Sequence, residues 1–401
     1  MKNTKVSSRL LEVPASPIRK LVPFATEAKK RGIKVYHLNI GDPDIKTPEV
    51  MINVLKNWKD NPIAYAQSQG QPKFLESLVS YYKKLGYSFV KTNNVQVTTG
   101  GSEAISMTLF AVCAPGEEVI SFEPYYANYN SYSTINGVKI VPVLTKGETG
   151  FHLPARREIE KKISKKTRAI LICNPSNPTG TVYTKEEMEM LVSISIKNNL
   201  FLISDEVYRE FVYDGKKYFS ILGYMKKYSD KMILLDSLSK RYSLCGARLG
   251  MIVSLNKDIT DGTLRMAQGR LSSGYVDQAM AEKLVEVKDS YFKEVHKEYQ
   301  TRRDLLYKGL KSIPGVFLEK PEGAFYTIVK LPVKDSEDFC QWLLEKFSYK
   351  NGTVMIAPAA GFYGTKGMGK NEVRIAYVLN CNDLEKAIEI LRRALVEYNR
   401  N

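Results

Sequence analysis

The feature that most constrains the fold is a series of short, largely apolar runs, each of which ends in polar or charged residues. Residues 169–173, 200–204 and 232–235 are runs of this kind. Strands that are buried on both faces have this pattern, and they belong to parallel sheets covered by helices. Strand and helix patterns alternate from about residue 50 to residue 285, a long helical pattern covers residues 277–312, and a last one covers residues 383–399. The sequence therefore predicts α/β units around a mostly parallel sheet.

The residues that follow these runs are the candidates for chemistry, because ligands of open α/β sheets bind beyond the carboxyl ends of the strands. Asp205 ends the run 200–204, and Tyr208 lies three residues later. A buried carboxylate requires a cationic partner, and a protonated pyridine nitrogen would be one. The alternative is structural, with Asp205 as a helix N-cap and Tyr208 as a packing residue.

Lys240 follows the last of these runs and stands among groups that suit a phosphate. Ser237 and Ser239 precede it by three and one residues, and Arg248 follows it by eight. Together they could bind a phosphate and offer an amine to a carbonyl, which are the two requirements of pyridoxal 5'-phosphate. Neighbouring cations favour the nucleophilic neutral form of a lysine, and Arg241 and Arg248 could supply them. A structural strand-to-loop junction is the alternative.

Two turns that follow predicted strands add further polar groups. Residues 95–105 have the pattern of a strand, a glycine-rich turn and a helix start. Gly100 and Gly101 would let the backbone at the helix N-terminus approach an anion closely, and Ser102 would add a hydroxyl. The turn after residue 173 contains two Asn-Pro pairs and a glycine. Its Asn177 could hydrogen-bond the phenolic oxygen of a bound pyridoxal ring, an atom that Tyr208 is also suited to bind. A turn of this composition can also be purely structural.

Taken in order, these segments resemble the class I/II pyridoxal-phosphate-dependent aminotransferases of fold type I, close to the bacterial aspartate aminotransferases. The resemblance runs from about Asn39 to Tyr377. It implies a fold-type I α/β architecture, in which a large domain with a mostly parallel central sheet is joined by a smaller α/β domain. We expect residues 46–285 to form the large cofactor-binding domain, and residues 1–45 with 286–401 to form the small one. The implied activity is transamination, which moves an amino group from an amino acid to a 2-oxo acid.

The resemblance also implies the role of each site residue. Lys240 would bind the cofactor covalently and move the substrate proton, Asp205 would pair with the pyridine nitrogen, and Tyr208 would bind the phenolic oxygen. The remaining cofactor-binding residues would be Gly101, Ser102, Tyr126 (with Tyr125 as the alternative ring-stacking residue), Asn177, Ser237, Ser239 and Arg248. Tyr65 would reach the phosphate of the neighbouring subunit, which implies a homodimer with shared active sites. Gly41, Asn177 and Arg374 would contact the substrate, and the Arg374 guanidinium would bind its α-carboxylate.

The amino-acid donor stays open. Aspartate is our first expectation, with 2-oxoglutarate as acceptor, and a distal carboxylate would then need a cation. Arg270 lies near the stretch where some relatives present such an arginine from the partner subunit, although an ordinary salt bridge is the alternative for it. Alanine, aromatic and kynurenine-type donors remain possible, as does a carbon-sulfur β-lyase on the same fold. A catalytically inert regulator is a third class, and such proteins usually carry an added DNA-binding domain.

Composition is that of a large enzyme. At 401 residues the chain exceeds what one core usually supports. Its net charge of +16 would suit nucleic acid, but the lysines are dispersed and no binding motif is present, so we expect a solvated surface.

No apolar stretch is long enough to span a membrane and no secretory signal is recognisable, so we expect a cytoplasmic protein. The five cysteines form no close pair and the three histidines fall in no motif, which predicts free thiols and no metal site.

Overall fold

The structure, a computed structural model, describes residues 6–400. The strands, numbered in chain order, are β1 Lys34–His37, β2 Val95–Thr99, β3 Glu118–Glu123, β4 Lys139–Leu144, β5 Thr167–Cys173, β6 Phe201–Asp205, β7 Met232–Ser237, β8 Leu249–Ser254, β9 Tyr326–Lys330, β10 Gly352–Met355, β11 Ala357–Pro358 and β12 Glu372–Ala376. The α-helices are α1 Ser8–Glu12, α2 Val22–Lys30, α3 Glu49–Lys56, α4 Pro72–Lys84, α5 Gly100–Val112, α6 Asn128–Ile135, α7 Arg156–Glu160, α8 Lys185–Lys197, α9 Leu222–Met225, α10 Lys257–Arg270, α11 Tyr275–Ala281, α12 Asp289–Lys311, α13 Ser336–Glu345 and α14 Cys381–Tyr398.

A seven-stranded sheet with the order β2-β8-β7-β6-β5-β3-β4 forms the centre of the fold. Strands β3 to β7 pair in parallel, whereas β8 runs antiparallel to both of its neighbours. The prediction of a mostly parallel sheet is therefore confirmed. Two smaller sheets accompany it, one in which β1 pairs in parallel with β10 and one with the antiparallel order β11-β12-β9.

The central strands form because alternate side chains bury against opposite layers. Leu202 and Leu234 belong to the hydrophobic core on one face of the sheet, and Ile203, Ile233 and Leu235 belong to the core on the other face. Successive side chains of a strand point to opposite faces, so a strand that is covered on both sides needs a continuous apolar run. This is the physical origin of the runs that dominate the sequence.

Local signals fix the starts of the helices that matter for the site. The Thr184 side chain accepts the backbone N–H of Glu187, and the Glu187 carboxylate accepts that of Thr184, which is a capping box at the start of α8. Helix α5 starts directly after β2 at Gly100, whose φ of +76° is in the left-handed region that favours glycine. The glycine-rich turn is thus the first turn of the helix itself.

One predicted helix is wrong. The pattern predicts a continuous helix over residues 277–312, but α11 ends at Ala281, a 3-10 turn follows, and α12 begins only at Asp289. Val287 is extended, with φ −69° and ψ 121°, and its side chain is buried in the core of the large sheet. Tertiary burial of one valine therefore interrupts the helix without any glycine or proline signal. The predicted last helix, 383–399, is found as α14.

A second large core joins the two ends of the chain. Side chains from the segment 21–38 pack with others from the segment 295–395. The division into a large domain, 46–285, and a small one, 1–45 with 286–401, stays a prediction, and residues 1–5 and 401 lie outside the described residues. Within residues 6–400, no helix is both long and apolar enough to cross a membrane.

We predict that Gly250→Ala destabilises the fold by about 1–3 kcal/mol, the usual cost of overpacking. A Cβ atom at Gly250 in β8 would lie 2.4 Å from the carbonyl carbon of Gly100, at the start of α5. Gly223→Ala in α9 is the matched control, because a Cβ atom there meets nothing within 4 Å. Urea denaturation of both variants checks the prediction, and equal midpoints would contradict it.

Candidate active site

The predicted site residues meet at one edge of the central sheet. The carboxyl ends of β5, β6 and β7 share this edge, and the reversed direction of β8 brings the residue before it, Arg248, to the same place. A cavity of about 590 Å³ lies there. The predicted residues that line it are Gly41, Gly101, Ser102, Tyr126, Asn177, Asp205, Tyr208, Ser237, Ser239, Lys240, Arg248 and Arg374.

Asp205 is a buried carboxylate at the end of β6. The Tyr129 hydroxyl donates a hydrogen bond to it over 2.8 Å. Burial raises the pKa of Asp205 to about 6, because the charged form is less well solvated there, and the hydrogen bond from Tyr129 offsets only part of that cost. No lysine or arginine of the described residues forms an ion pair with it. A cationic ring nitrogen of a ligand would supply the missing partner.

Arg374 presents the opposite case, a buried cation without an acid. Only 2% of its surface is exposed, and among residues 6–400 no carboxylate pairs with it. One terminal nitrogen donates to the Asn177 side-chain oxygen over 3.1 Å and the other to the Asn39 carbonyl, while Nε has no partner. Burial lowers its pKa. The free donors suit a carboxylate bound in the cavity.

Hydroxyls, a helix N-terminus and a guanidinium form a cradle that suits a phosphate. The Ser237 and Ser239 hydroxyls lie 2.9 Å apart, beside the first turn of α5. Arg248 has a left-handed backbone, φ 52°, and a Cβ atom on Gly100 would lie 2.5 Å from its terminal nitrogen. Glycine at position 100 therefore lets the guanidinium approach the helix N-terminus, where unsatisfied N–H groups attract an anion.

The Tyr208 hydroxyl lies between two polar side chains. Asn177 Nδ2 donates to it over 3.4 Å, and it donates to the Tyr326 hydroxyl over 3.2 Å. The Tyr326 hydroxyl also packs closely against the backbone of Gly41, where a Cβ atom would lie 1.8 Å from the hydroxyl oxygen. Gly41 is thus needed for the close approach of two chain segments that are distant in sequence.

The Lys240 amine faces the cavity. Its Nζ donates to the Gly41 carbonyl over 2.7 Å and lies 3.5 Å from Cys245 Sγ. Of the two arginines proposed to act on it, Arg248 lines the cavity, but Arg241 does not. Arg241 is buried in ion pairs with Asp236 and Glu210, so the expectation that its charge acts on Lys240 is wrong.

Besides Arg241, three residues that were candidates in the sequence lie outside the cavity. Tyr65 is 80% exposed, on a loop beside another surface pocket. Tyr125 is buried and donates to Asn130, so Tyr126 is the aromatic residue that lines the cavity. Arg270 pairs with Glu103 over 3.1 Å and also donates to a backbone carbonyl of β2.

The sequence reasoning missed four residues of this site, which are Arg19, Asn39, Tyr129 and Tyr326. The chain has 25 tyrosines, so residue type alone cannot select Tyr129 or Tyr326. Their hydrogen bonds to Asp205 and Tyr208 depend on contacts between distant segments. Asn39 carried a usable signal, since it lies two residues before Gly41, which the resemblance assigns to substrate binding.

The donor set fits pyridoxal 5'-phosphate. The cradle of Ser237, Ser239 and Arg248 could hold the phosphate, and the unpaired Asp205 could hold the ring nitrogen. Lys240 offers an amine between them. Arg374, with its unpartnered Nε, remains for a substrate carboxylate.

Comparison with known proteins agrees with this geometry. Residues 33–391 match the sequence model of aminotransferase class I and II. The chain is 32% identical to the aspartate aminotransferase of Pyrococcus horikoshii over 97% of both proteins, and 31% identical to aromatic-amino-acid aminotransferase 2 of Thermococcus litoralis over 98% of both. The solved alanine aminotransferase from Pyrococcus furiosus superposes with a TM-score of 0.88 at 31% identity, covering 98% of this chain and all of that one.

A protein with this sheet, cavity and donor set is a pyridoxal-phosphate-dependent enzyme of fold type I. The chain belongs to the class I and II aminotransferase family, and it is a transaminase. The prediction of family, fold and cofactor is confirmed.

We predict that Asp205→Asn retains the cofactor but lowers turnover by about 100-fold or more, the usual loss when one preorganised charge is removed. The amide cannot hold the ring proton that stabilises negative charge on the substrate, whereas Asp205→Glu should be impaired less. Steady-state rates together with cofactor content check this prediction. Near-normal turnover in the Asn variant would mean that Asp205 is structural.

The same variant has a pH signature in the cofactor-free protein. Because the pKa of Asp205 is raised to about 6 in the folded state, its contribution to stability is present at low pH and is lost as the pH rises through 6. The stability of the wild type relative to Asp205→Asn should therefore fall between about pH 4 and pH 7. A pH-independent difference would contradict this burial effect.

Proposed function

We propose that this transaminase moves the amino group of aspartate to 2-oxoglutarate in a ping-pong cycle. The observation that carries the proposal is Arg374, a buried guanidinium that has no acid partner within residues 6–400 and lines the same cavity as Lys240. An α-carboxylate bound by Arg374 would direct the α-carbon of an amino acid towards Lys240. Relatives named aspartate aminotransferase, including those of Pyrococcus horikoshii and Thermotoga maritima, support aspartate as the donor.

Each residue of the site would have its own role in the reaction. Bound pyridoxal phosphate supplies an electron sink for negative charge at the substrate α-carbon. Lys240 Nζ would take the proton from that carbon and pass it to the C4' carbon of the cofactor, and the second half of the cycle would reverse this transfer. Asp205 keeps the ring nitrogen protonated, and Tyr208 with Asn177 binds the phenolic oxygen. The serine and arginine cradle holds the phosphate throughout.

A second candidate is transamination of monocarboxylic donors. The solved relative from Pyrococcus furiosus is named alanine aminotransferase, and the Thermococcus litoralis relative is named for aromatic amino acids. Both are as similar to this chain as the aspartate relatives are. Kynurenine-type donors and a carbon-sulfur β-lyase reaction would use the same lysine and the same phosphate cradle.

The test of the proposed function measures glutamate formed from 2-oxoglutarate with aspartate, alanine, phenylalanine or kynurenine as donor. We expect the highest kcat/KM with aspartate, and a loss of about 100- to 10,000-fold in Lys240→Ala, because its proton transfer is removed. A higher value with another donor would replace aspartate. Release of pyruvate and ammonia from a cysteine conjugate without acceptor would instead identify a β-lyase.

We also propose a homodimer with shared active sites, in which Tyr65 reaches the partner's phosphate. Its phenol is 80% exposed in the single chain, which leaves it available to a second copy. Tyr65→Phe should raise the dissociation constant of the cofactor by about tenfold or more, as expected for a lost hydrogen bond to a charged group. Tyr228→Phe, away from the cavity, is the control. A monomer by sedimentation, or equal cofactor retention in both variants, would contradict the proposal.

A further inference from the structure

Four cationic side chains line the cavity: Arg19, Lys240, Arg248 and Arg374. Under the proposed function, three of them have partners, namely the substrate amine and α-proton for Lys240, the phosphate for Arg248 and the α-carboxylate for Arg374. Arg19 has none. A cation at a binding cavity that no part of the reaction accounts for is the strongest unexplained feature of the molecule.

The segment that carries Arg19 is anchored at the mouth of the cavity. Pro17 is buried against Gly361, where a Cβ atom would lie 2.6 Å from the proline ring. The Ile18 carbonyl accepts a hydrogen bond from Asn39 Nδ2 over 3.4 Å, and the Arg19 backbone N–H donates to the Ser16 carbonyl. The backbone of this turn is therefore held in place, while the Arg19 side chain is exposed to the cavity opening.

The same anchor connects Arg19 to the deeper arginine. Asn39 donates to the Ile18 carbonyl through its side chain and accepts from Arg374 through its own carbonyl. One residue thus lies between the segment of Arg19 and the guanidinium of Arg374. Both cations line the same cavity, in which Arg374 is buried and Arg19 is exposed.

The Arg19 guanidinium is also unpaired. Within residues 6–400 its side chain forms no hydrogen bond and no ion pair, although Asp42 lines the same cavity. Arg270, the arginine suggested by the sequence, differs in this respect, because Glu103 already neutralises it. An unpaired guanidinium can bind both oxygens of a carboxylate.

We propose that Arg19 binds the distal carboxylate of dicarboxylic substrates, while Arg374 binds the α-carboxylate. This inference rests on the proposed function. The substrates would be amino and 2-oxo dicarboxylic acids of four and five carbons. Arg19 would be the residue that gives these substrates an advantage over alanine. Since Arg19 is exposed, a monocarboxylic substrate leaves it in water at little cost, so such substrates are accepted but not favoured.

The first experiment measures binding without turnover. Succinate and butyrate differ by one carboxylate, and their dissociation constants for the cofactor-loaded protein are compared by calorimetry. Arg19→Gln should weaken succinate by about tenfold or more, the loss of a charge-assisted hydrogen bond, and leave butyrate within about twofold. Lys20→Gln is the matched control, because the neighbouring Lys20 carries the same charge and pairs with Glu337 instead. Equal weakening of succinate in both variants would overturn the role of Arg19.

The second experiment measures kcat/KM for aspartate and alanine in the wild type, Arg19→Gln, Arg19→Lys and Arg270→Gln. We expect the aspartate-to-alanine ratio to fall about tenfold or more in Arg19→Gln, mainly through KM, and to recover partly in Arg19→Lys. An unchanged ratio would overturn the inference, and a fall in Arg270→Gln alone would assign the distal carboxylate to Arg270. A wild type that transaminates alanine but no dicarboxylic acid would remove Arg19 from substrate binding and leave the transaminase intact. A wild type inactive with every donor would instead overturn the proposed function.

Discussion

The burial of opposite charges that do not pair with each other is the constraint on which this site depends. Among residues 6–400, Asp205 at the end of the central strand β6 has no cationic partner, and Arg374 in β12 has no acidic one. An unpaired buried charge costs about several kcal/mol even after relaxation. The fold tolerates this cost where a ligand with the complementary charges binds. A protonated pyridine nitrogen would neutralise Asp205, and an α-carboxylate would neutralise Arg374. The two buried charges that destabilise the fold are therefore the groups that would bind the cofactor and the substrate.

The sheet makes this arrangement possible. Parallel strands carry their carboxyl ends to one edge, which places Asp205, the Asn177 turn and Ser237 side by side. The single reversed strand, β8, then brings Arg248 to that edge from the other direction. The phosphate cradle therefore requires both strand directions, and Gly250 permits the tight contact between β8 and the start of α5.

Much of the fold and of the site could be predicted because the relevant signals are local. The apolar runs correspond to β5, β6 and β7, and the polar residues that follow them line one cavity. The predictions that failed concern features that depend on contacts between segments distant in sequence. Val287 interrupts a helix because it is buried against the large core, and Arg241 is directed away from Lys240 by Asp236 and Glu210. Tyr129, Tyr326 and Arg19 join the site only through the packing of segments far apart in sequence.

We infer that the Lys240 amine is the group that binds the cofactor at this sheet edge. Borohydride reduction of the cofactor-loaded protein, followed by peptide mapping, tests it most directly, since the reduction fixes the cofactor irreversibly to the lysine that holds it. We expect label on the peptide that contains Lys240 and no label in Lys240→Ala. Label on any other lysine of the wild type would contradict it.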